Sequence, residues 1–179
     1  NYGLGYKAFA LRNELTEAEA KLIHTLYHTE AYPGVRANFH RYVKESVRKY
    51  GCLLNCFGRR RDFLGEPGDD VYQDAYAHIP QSTVFDLTRL AMVHVYNHEP
   101  RAELISQDHD AITIQMSPDP GAISEVVGRV REVLSTPLTY GGETFSLSSD
   151  AKMGHSRYKR TMAKVTSDPC QVREALASL

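Results

Sequence analysis

Between Ala102 and Gln115, two short runs, apolar at alternate or successive positions, close on the polar tetrapeptide Gln107-Asp108-His109-Asp110. This pattern predicts a β-hairpin with a tight turn. Burying Asp108, His109 and Asp110 at a tip between apolar strands costs free energy unless something pairs with the charge. Magnesium or another hard divalent cation suits such oxygen donors. An ordinary turn stabilised by Asp side chains accounts for the same residues. The hairpin alone leaves both readings open.

With 179 residues, the chain is long enough to bury one sizeable core. At 42% hydrophobic and 24% charged it belongs with globular chains, which excludes a disordered polymer. No apolar run approaches the length of a bilayer span and no signal peptide is visible, so no membrane partner and a cytoplasmic location are expected. An odd number of cysteines, three, argues for a reducing compartment and against a disulfide framework. The net charge of −1 is uninformative, but its distribution is not. From Arg36 to Arg61 there are eight Lys or Arg against one acid, Glu45; from Asp62 to Asp86 there are six acids and no Lys or Arg. Arg59, Arg60 and Arg61 follow Gly58, which concentrates cations where a phosphate backbone can bind. A solvated helix face accounts for part of the same stripe.

Along the chain, the first twelve residues read as helical. Thr16-Glu17-Ala18-Glu19 is a capping box opening a helix to about Thr29, broken by Pro33. A second helix carries Val35, Phe39, Tyr42, Val43, Val47 and Tyr50 on its apolar side and ends at Gly51; Cys52 to Phe57 is a strand. A helix capped by Asp69 or Asp70 is expected to stop before Pro80, and another to run from Gln81 to Asn97. Beyond the hairpin come a helix from Ala122 to Leu134, edge strands about Gly141-Gly142, and a short terminal helix after Asp168-Pro169. His24/His28 and His94/His98 are spaced as helical zinc pairs, but no third ligand accompanies either, so solvated helix surfaces are the preferred reading.

Five landmarks in order give these elements a context: Asn1-Tyr2-Gly3-Leu4-Gly5-Tyr6; Ala31-Tyr32-Pro33-Gly34-Val35; Phe57-Gly58-Arg59-Arg60-Arg61; Pro80-Gln81-Ser82-Thr83 with Leu90-Ala91-Met92; and Gln107-Asp108-His109-Asp110. Over residues 1 to about 158 the chain resembles the C-terminal part of a family A, DNA polymerase I-like enzyme of phage type. The resemblance implies an α/β (α+β) fold: distal fingers helices over 1–51, part of an antiparallel palm sheet of a right-hand polymerase over 52–158, and a C-terminal extension over 159–179.

It further implies residue roles. Asp110 is similar to the motif C carboxylate that holds magnesium, two ions serving the complete enzyme, and His109 to the histidine that places the primer terminus. Tyr2 and Tyr6 resemble nucleotide-pocket positions on one face of the fingers helix. Gln81 and Gln107 match glutamines that check base-pair geometry in the minor groove, while Arg59, Arg60 and Arg61 would hold strand phosphates. The partners implied are primer-template DNA, deoxynucleoside triphosphates and an upstream fragment carrying the thumb and the motif A carboxylate; without that fragment no activity is expected. Departures from the family pattern fall at Lys7, Ala77, Asp108 and Ala111. Two other functions stay open: a non-catalytic duplex-binding module, and a metal-dependent nuclease built on Asp108, His109 and Asp110 with a second acid cluster from Asp62, Asp69 and Asp70.

Overall fold

The computed structural model describes residues 3–156 and 162–179. Tyr2, and Lys159 and Arg160 of the C-terminal extension, lie outside the described residues. By its contacts the chain divides into two compact units, Asn1–Thr83 and Val84–Leu179.

In the first unit, α1 spans Tyr6–Asn13. It starts later than expected because Gly3 sits at φ +80° and Gly5 is an extended N-cap, leaving residues 3–5 outside the helix. The capping box forms: the Thr16 hydroxyl accepts from the Glu19 amide, and the Glu19 carboxylate accepts from Thr16, at the start of α2 (Glu17–Leu26). The next segments are π-helical, Tyr27–Ala31 and Val35–His40, flanking Pro33. α3 (Arg41–Tyr50) follows and ends at Gly51, φ +65°. A π turn closes its hydrogen bonds one residue later than an α turn, breaking the 3.6-residue register behind the expected apolar stripe. Val43 and Val47 are buried, as the stripe required, but Tyr42 and Tyr50 stand exposed.

β1 (Cys52–Leu54) pairs antiparallel with β2 (Arg60–Asp62), and Leu53 is buried. α4 (Asp69–His98) then runs unbroken through Pro80, contrary to the expected stop. Proline removes one backbone donor and crowds the preceding turn, at a cost of about 3 kcal/mol. Offsetting it, Tyr76, Ile79 and Thr83 are buried around it. Asn55 also donates to the Ser82 hydroxyl at 3.0 Å, pinning the helix just past the proline.

The second unit begins within α4, and its described residues form three antiparallel hairpins and two further helices. β3 (Ala102–Asp108) pairs with β4 (Ala111–Met116), β5 (Leu138–Tyr140) with β6 (Glu143–Phe145), and β7 (Ala151–Met153) with β8 (Ala163–Val165). Gly141 and Gly142, both at positive φ, turn the β5–β6 hairpin. α5 (Pro120–Leu134) and α6 (Pro169–Ser178) each open on an Asp N-cap followed by proline. One core joins Ala91, Val95, Val126 and Val130 to the β3–β4 side chains Leu104, Ile112 and Ile114; a second joins Ile123 of α5 to Val165, Val172 and Ala175. The terminal helix is thus packed into the unit, and Ser124 donates to the Ser167 carbonyl at 2.6 Å.

Glu99 fixes the entry to the hairpin. Its side chain is buried and takes two hydrogen bonds from the Arg129 guanidinium, with the His94 ring at 3.3 Å; its backbone carbonyl accepts from the Ala102 amide at 2.9 Å. The Arg129 hydrogen bonds hold the Glu99 carboxyl below its ordinary value, against burial, which pushes it up. A depressed carboxyl stabilises the fold above its unfolded-state pKa, and that contribution fades as acid protonates it. Glu99→Ala is expected to cost about 1–3 kcal/mol by leaving Arg129 without its main partner. Urea unfolding at neutral pH checks this, and in mild acid the gap between the two proteins should narrow.

Candidate functional site

The β3–β4 hairpin carries one residue too many on β3. Leu104 pairs with Ile114 and Ser106 with Thr113, so Ile105 has no partner in the register. Before the bulge, Ala102 and Leu104 share a face with Ile114 and Met116; after it, Gln107 stands opposite Ile112 and Asp108 opposite Ala111. Without the extra residue, Ser106 and Asp108 would continue the core-side face. The bulge instead turns Gln107 to that face and Asp108 to the other, the re-aiming that bulges produce. Two residues, His109 and Asp110, make the turn, with His109 at φ +51°. Left-handed backbone costs most residues about 1–2 kcal/mol, though histidine is among those that tolerate it better.

Asp108, His109 and Asp110 are all exposed, so the cost of burying their charges does not arise. Their charges need no partner to remain in water, so the cost of burial does not call for a metal here. Asp110 is an accessible hard oxygen donor, fit to serve as one ligand of a magnesium ion. Among the described residues, no three His, Cys, Asp or Glu are grouped to hold a metal ion. The Gln107 amide reaches the His109 carbonyl at 3.5 Å, across the turn.

In the first unit the arginine turn is built by Asn55, a residue that hydrophobic periodicity does not single out. The strand expected to reach Phe57 ends at Leu54, because the buried Asn55 side chain takes over the backbone donors. Its Oδ1 accepts from the Phe57 and Arg59 amides, both at 2.9 Å, while its amide donates to Ser82. An Asn three residues before a glycine is the Asx-turn signal that identifies it. Gly58, φ +77°, completes the turn. Arg60 pairs with Asp62 at 2.8 Å and Arg61 with Asp74 at 2.9 Å, their side chains still 61% and 44% exposed. Arg61 also lies over the Phe63 ring. Arg59 is exposed. Exposed ion pairs contribute about 0–1 kcal/mol, so a phosphate competes with these carboxylates at little cost. Farther up the basic segment, Arg48 donates to the Tyr72 hydroxyl at 2.7 Å, and Lys44 lies over the same ring.

Gln81 is exposed on α4 in this same unit, and Tyr6 is the half-buried first residue of α1. Tyr2 lies outside the described residues, so a face shared with Tyr6 is not described. The acids considered for a nuclease are engaged otherwise: Asp62 holds Arg60, while Asp69 and Asp70 occupy the first turn of α4. The His24 and His28 rings meet edge to face at 4.7 Å, and His94 and His98 lie 5.2 Å apart.

No protein-family model matches the sequence, and no curated protein matches it. Among solved structures the chain is similar to the POL domain of Pol1 from M. smegmatis, in complex with DNA primer-template and dNTP. The two are 23% identical with a TM-score of 0.64, over 82% of this chain and 28% of that one. The chain therefore spans less than a third of that polymerase chain's length. It has a polymerase-like fold. Its helices and small antiparallel sheets are those of part of such a domain.

Asn55→Ala should destabilise the arginine turn by about 1–3 kcal/mol, since two amides lose their acceptor. Amide hydrogen exchange at Phe57 and Arg59 is expected to accelerate together, with exchange in the second unit unchanged.

Proposed function

We propose that this chain is the distal fingers and part of the palm of a family A, phage-type DNA-directed DNA polymerase, which adds deoxynucleotides to a primer 3′ end. The observation that carries the reading is the motif C-like hairpin, whose bulge and left-handed His109 present Gln107, His109 and Asp110 together at one tip. Its support is the fold likeness to a polymerase domain and the ordered landmarks.

In this reading Asp110 supplies one ligand to the catalytic magnesium ions, which when bound neutralise charge on the reacting phosphates. His109 and Gln107 seat the primer-terminal base pair, Gln107 reading the minor-groove acceptors common to all pairs. Gln81 makes a similar contact. Tyr2 and Tyr6 line the nucleotide pocket. Arg59, Arg60 and Arg61 exchange their carboxylate partners for strand phosphates. One carboxylate does not hold two ions, so we assign the second palm carboxylate and the thumb to an upstream polypeptide. The residues alone are then expected to be inactive, and the protein to work in the cytoplasm.

A second reading, a duplex-binding module without chemistry, draws on the lack of a three-ligand metal group among the described residues. Primer extension separates the two. In the complete enzyme, Asp110→Ala should abolish nucleotide addition, by about 10³-fold or more, while duplex binding stays within about twofold. Full activity in that variant would remove Asp110 from its role.

Replacing Arg59, Arg60 and Arg61 with Ala should weaken duplex binding regardless of sequence. The slope of log affinity against log salt should fall by about one unit for each phosphate that the variant no longer neutralises. An unchanged slope in a salt titration would take these arginines off the DNA.

A further inference from the structure

Within the first unit lies a half-open cavity of about 690 Å³; Gly3, Leu4 and Gly5, between the nucleotide-pocket positions Tyr2 and Tyr6, form one edge, and the polymerase reading gives its charged walls no role. Both π-helical stretches contribute: His28 comes from the first, Arg36 and His40 from the second. His24 of α2, Arg41 and Lys44 of α3, and Asp69 of α4 complete its charged and titratable lining, with Tyr27, Tyr72 and Tyr76 beside them. Three permanent cations thus face one carboxylate. His40 is buried and stacks on Tyr76 at 3.9 Å, closing one wall. The His28 Nδ1 atom is buried and has no hydrogen-bond partner among the described residues.

We propose that this cavity binds a phosphate group and that His28 takes up a proton as the phosphate enters. An anion there would meet Arg36, Arg41 and Lys44, with guanidinium forks that match phosphate oxygens. It would also give the orphaned His28 nitrogen a partner, the usual fate of a buried polar atom. A metal ion is not the occupant indicated, since no three ligands are grouped for one among the described residues. The cavity's volume exceeds that of a bare phosphate, leaving room for the molecule that bears it.

The proton linkage follows from the surroundings. Burial first, then electrostatic repulsion from the neighbouring Arg36, His24 and His40, holds His28 below the ordinary histidine value. It is therefore the neutral form that the empty cavity favours near neutral pH. An entering anion counters the cationic neighbours and restores the charged form, so affinity should rise as pH falls into the usual histidine range. The phosphate has two possible sources, a nucleic-acid strand or a small free molecule. The inference does not rest on DNA synthesis, and its failure would leave the polymerase reading intact.

The test is a titration of the histidine imidazole resonances by NMR, with and without two probes that do not themselves titrate near neutrality. Sulfate stands for a free phosphate dianion, and a short single-stranded oligothymidylate for a strand. Either probe should raise the His28 midpoint and bind about tenfold more tightly near pH 5.5 than near pH 8. A response to the oligonucleotide alone assigns the site to a strand, and a response to sulfate alone to a small anion. Arg36→Ala, an exposed change, should abolish the upward shift, while His28→Gln should keep the weak high-pH binding and lose its pH dependence. An unmoved His28 midpoint with both probes overturns the proposal, and so does a shift that survives Arg36→Ala unchanged.

Discussion

One unpaired residue, Ile105, decides what the hairpin presents. An antiparallel ladder alternates faces strictly, so an insertion of one residue reverses every side chain beyond it. Before the bulge, Leu104 faces the core with Ile112 and Ile114; beyond it, Gln107 takes that face and Asp108 leaves it. The apolar half of the hairpin is held by α4 and α5 through Ala91, Val95, Val126 and Val130, and its entry by the Glu99–Arg129 pair. The polar half then projects from a fixed base. The turn has only two residues, His109 and Asp110, the first of them in the left-handed region.

The basic turn of the first unit obeys the same logic with different means. Asn55, not a strand ladder, positions it, and its bond to Ser82 ties the turn to α4. The arginines are neither free nor buried: Arg60 and Arg61 rest on Asp62 and Asp74 in water. Such pairs keep the side chains extended and soluble without committing them. In the proposed polymerase, a nucleic-acid strand would replace one weak partner with another of higher charge density, and the released acids would remain solvated.

Much of this was legible in the sequence where one local rule dominates. The Thr16–Glu19 capping box, the Asp168-Pro169 start of α6, the Gly141-Gly142 turn and the β3–β4 hairpin itself each follow from short-range chemistry, whereas α5 opens at Pro120, inside the expected loop and ahead of the expected start at Ala122. The departures share a cause: tertiary contacts outvoted a local preference. Pro80 stays inside α4 because buried neighbours and the Asn55–Ser82 bond hold the helix on both sides. The bulge at Ile105 and the π-helical segments leave no mark in a pattern read with a fixed period. Asn55 is hidden inside a strand expected to run on to Phe57. The exposure of the tip has the same root: alternation predicts which face a residue takes, but not how far a hairpin extends beyond its core.

The central claim is that the tip of the β3–β4 hairpin is where a primer ends. Photo-cross-linking tests it most directly, with a reactive group on the 3′-terminal nucleotide of a primer–template duplex and the attachment site mapped by mass spectrometry. The account predicts attachment within the peptide that contains Gln107, His109 and Asp110, and none there when the group is moved to the middle of the duplex. Attachment spread over the basic segment from Arg36 to Arg61, with none at the hairpin, would contradict it.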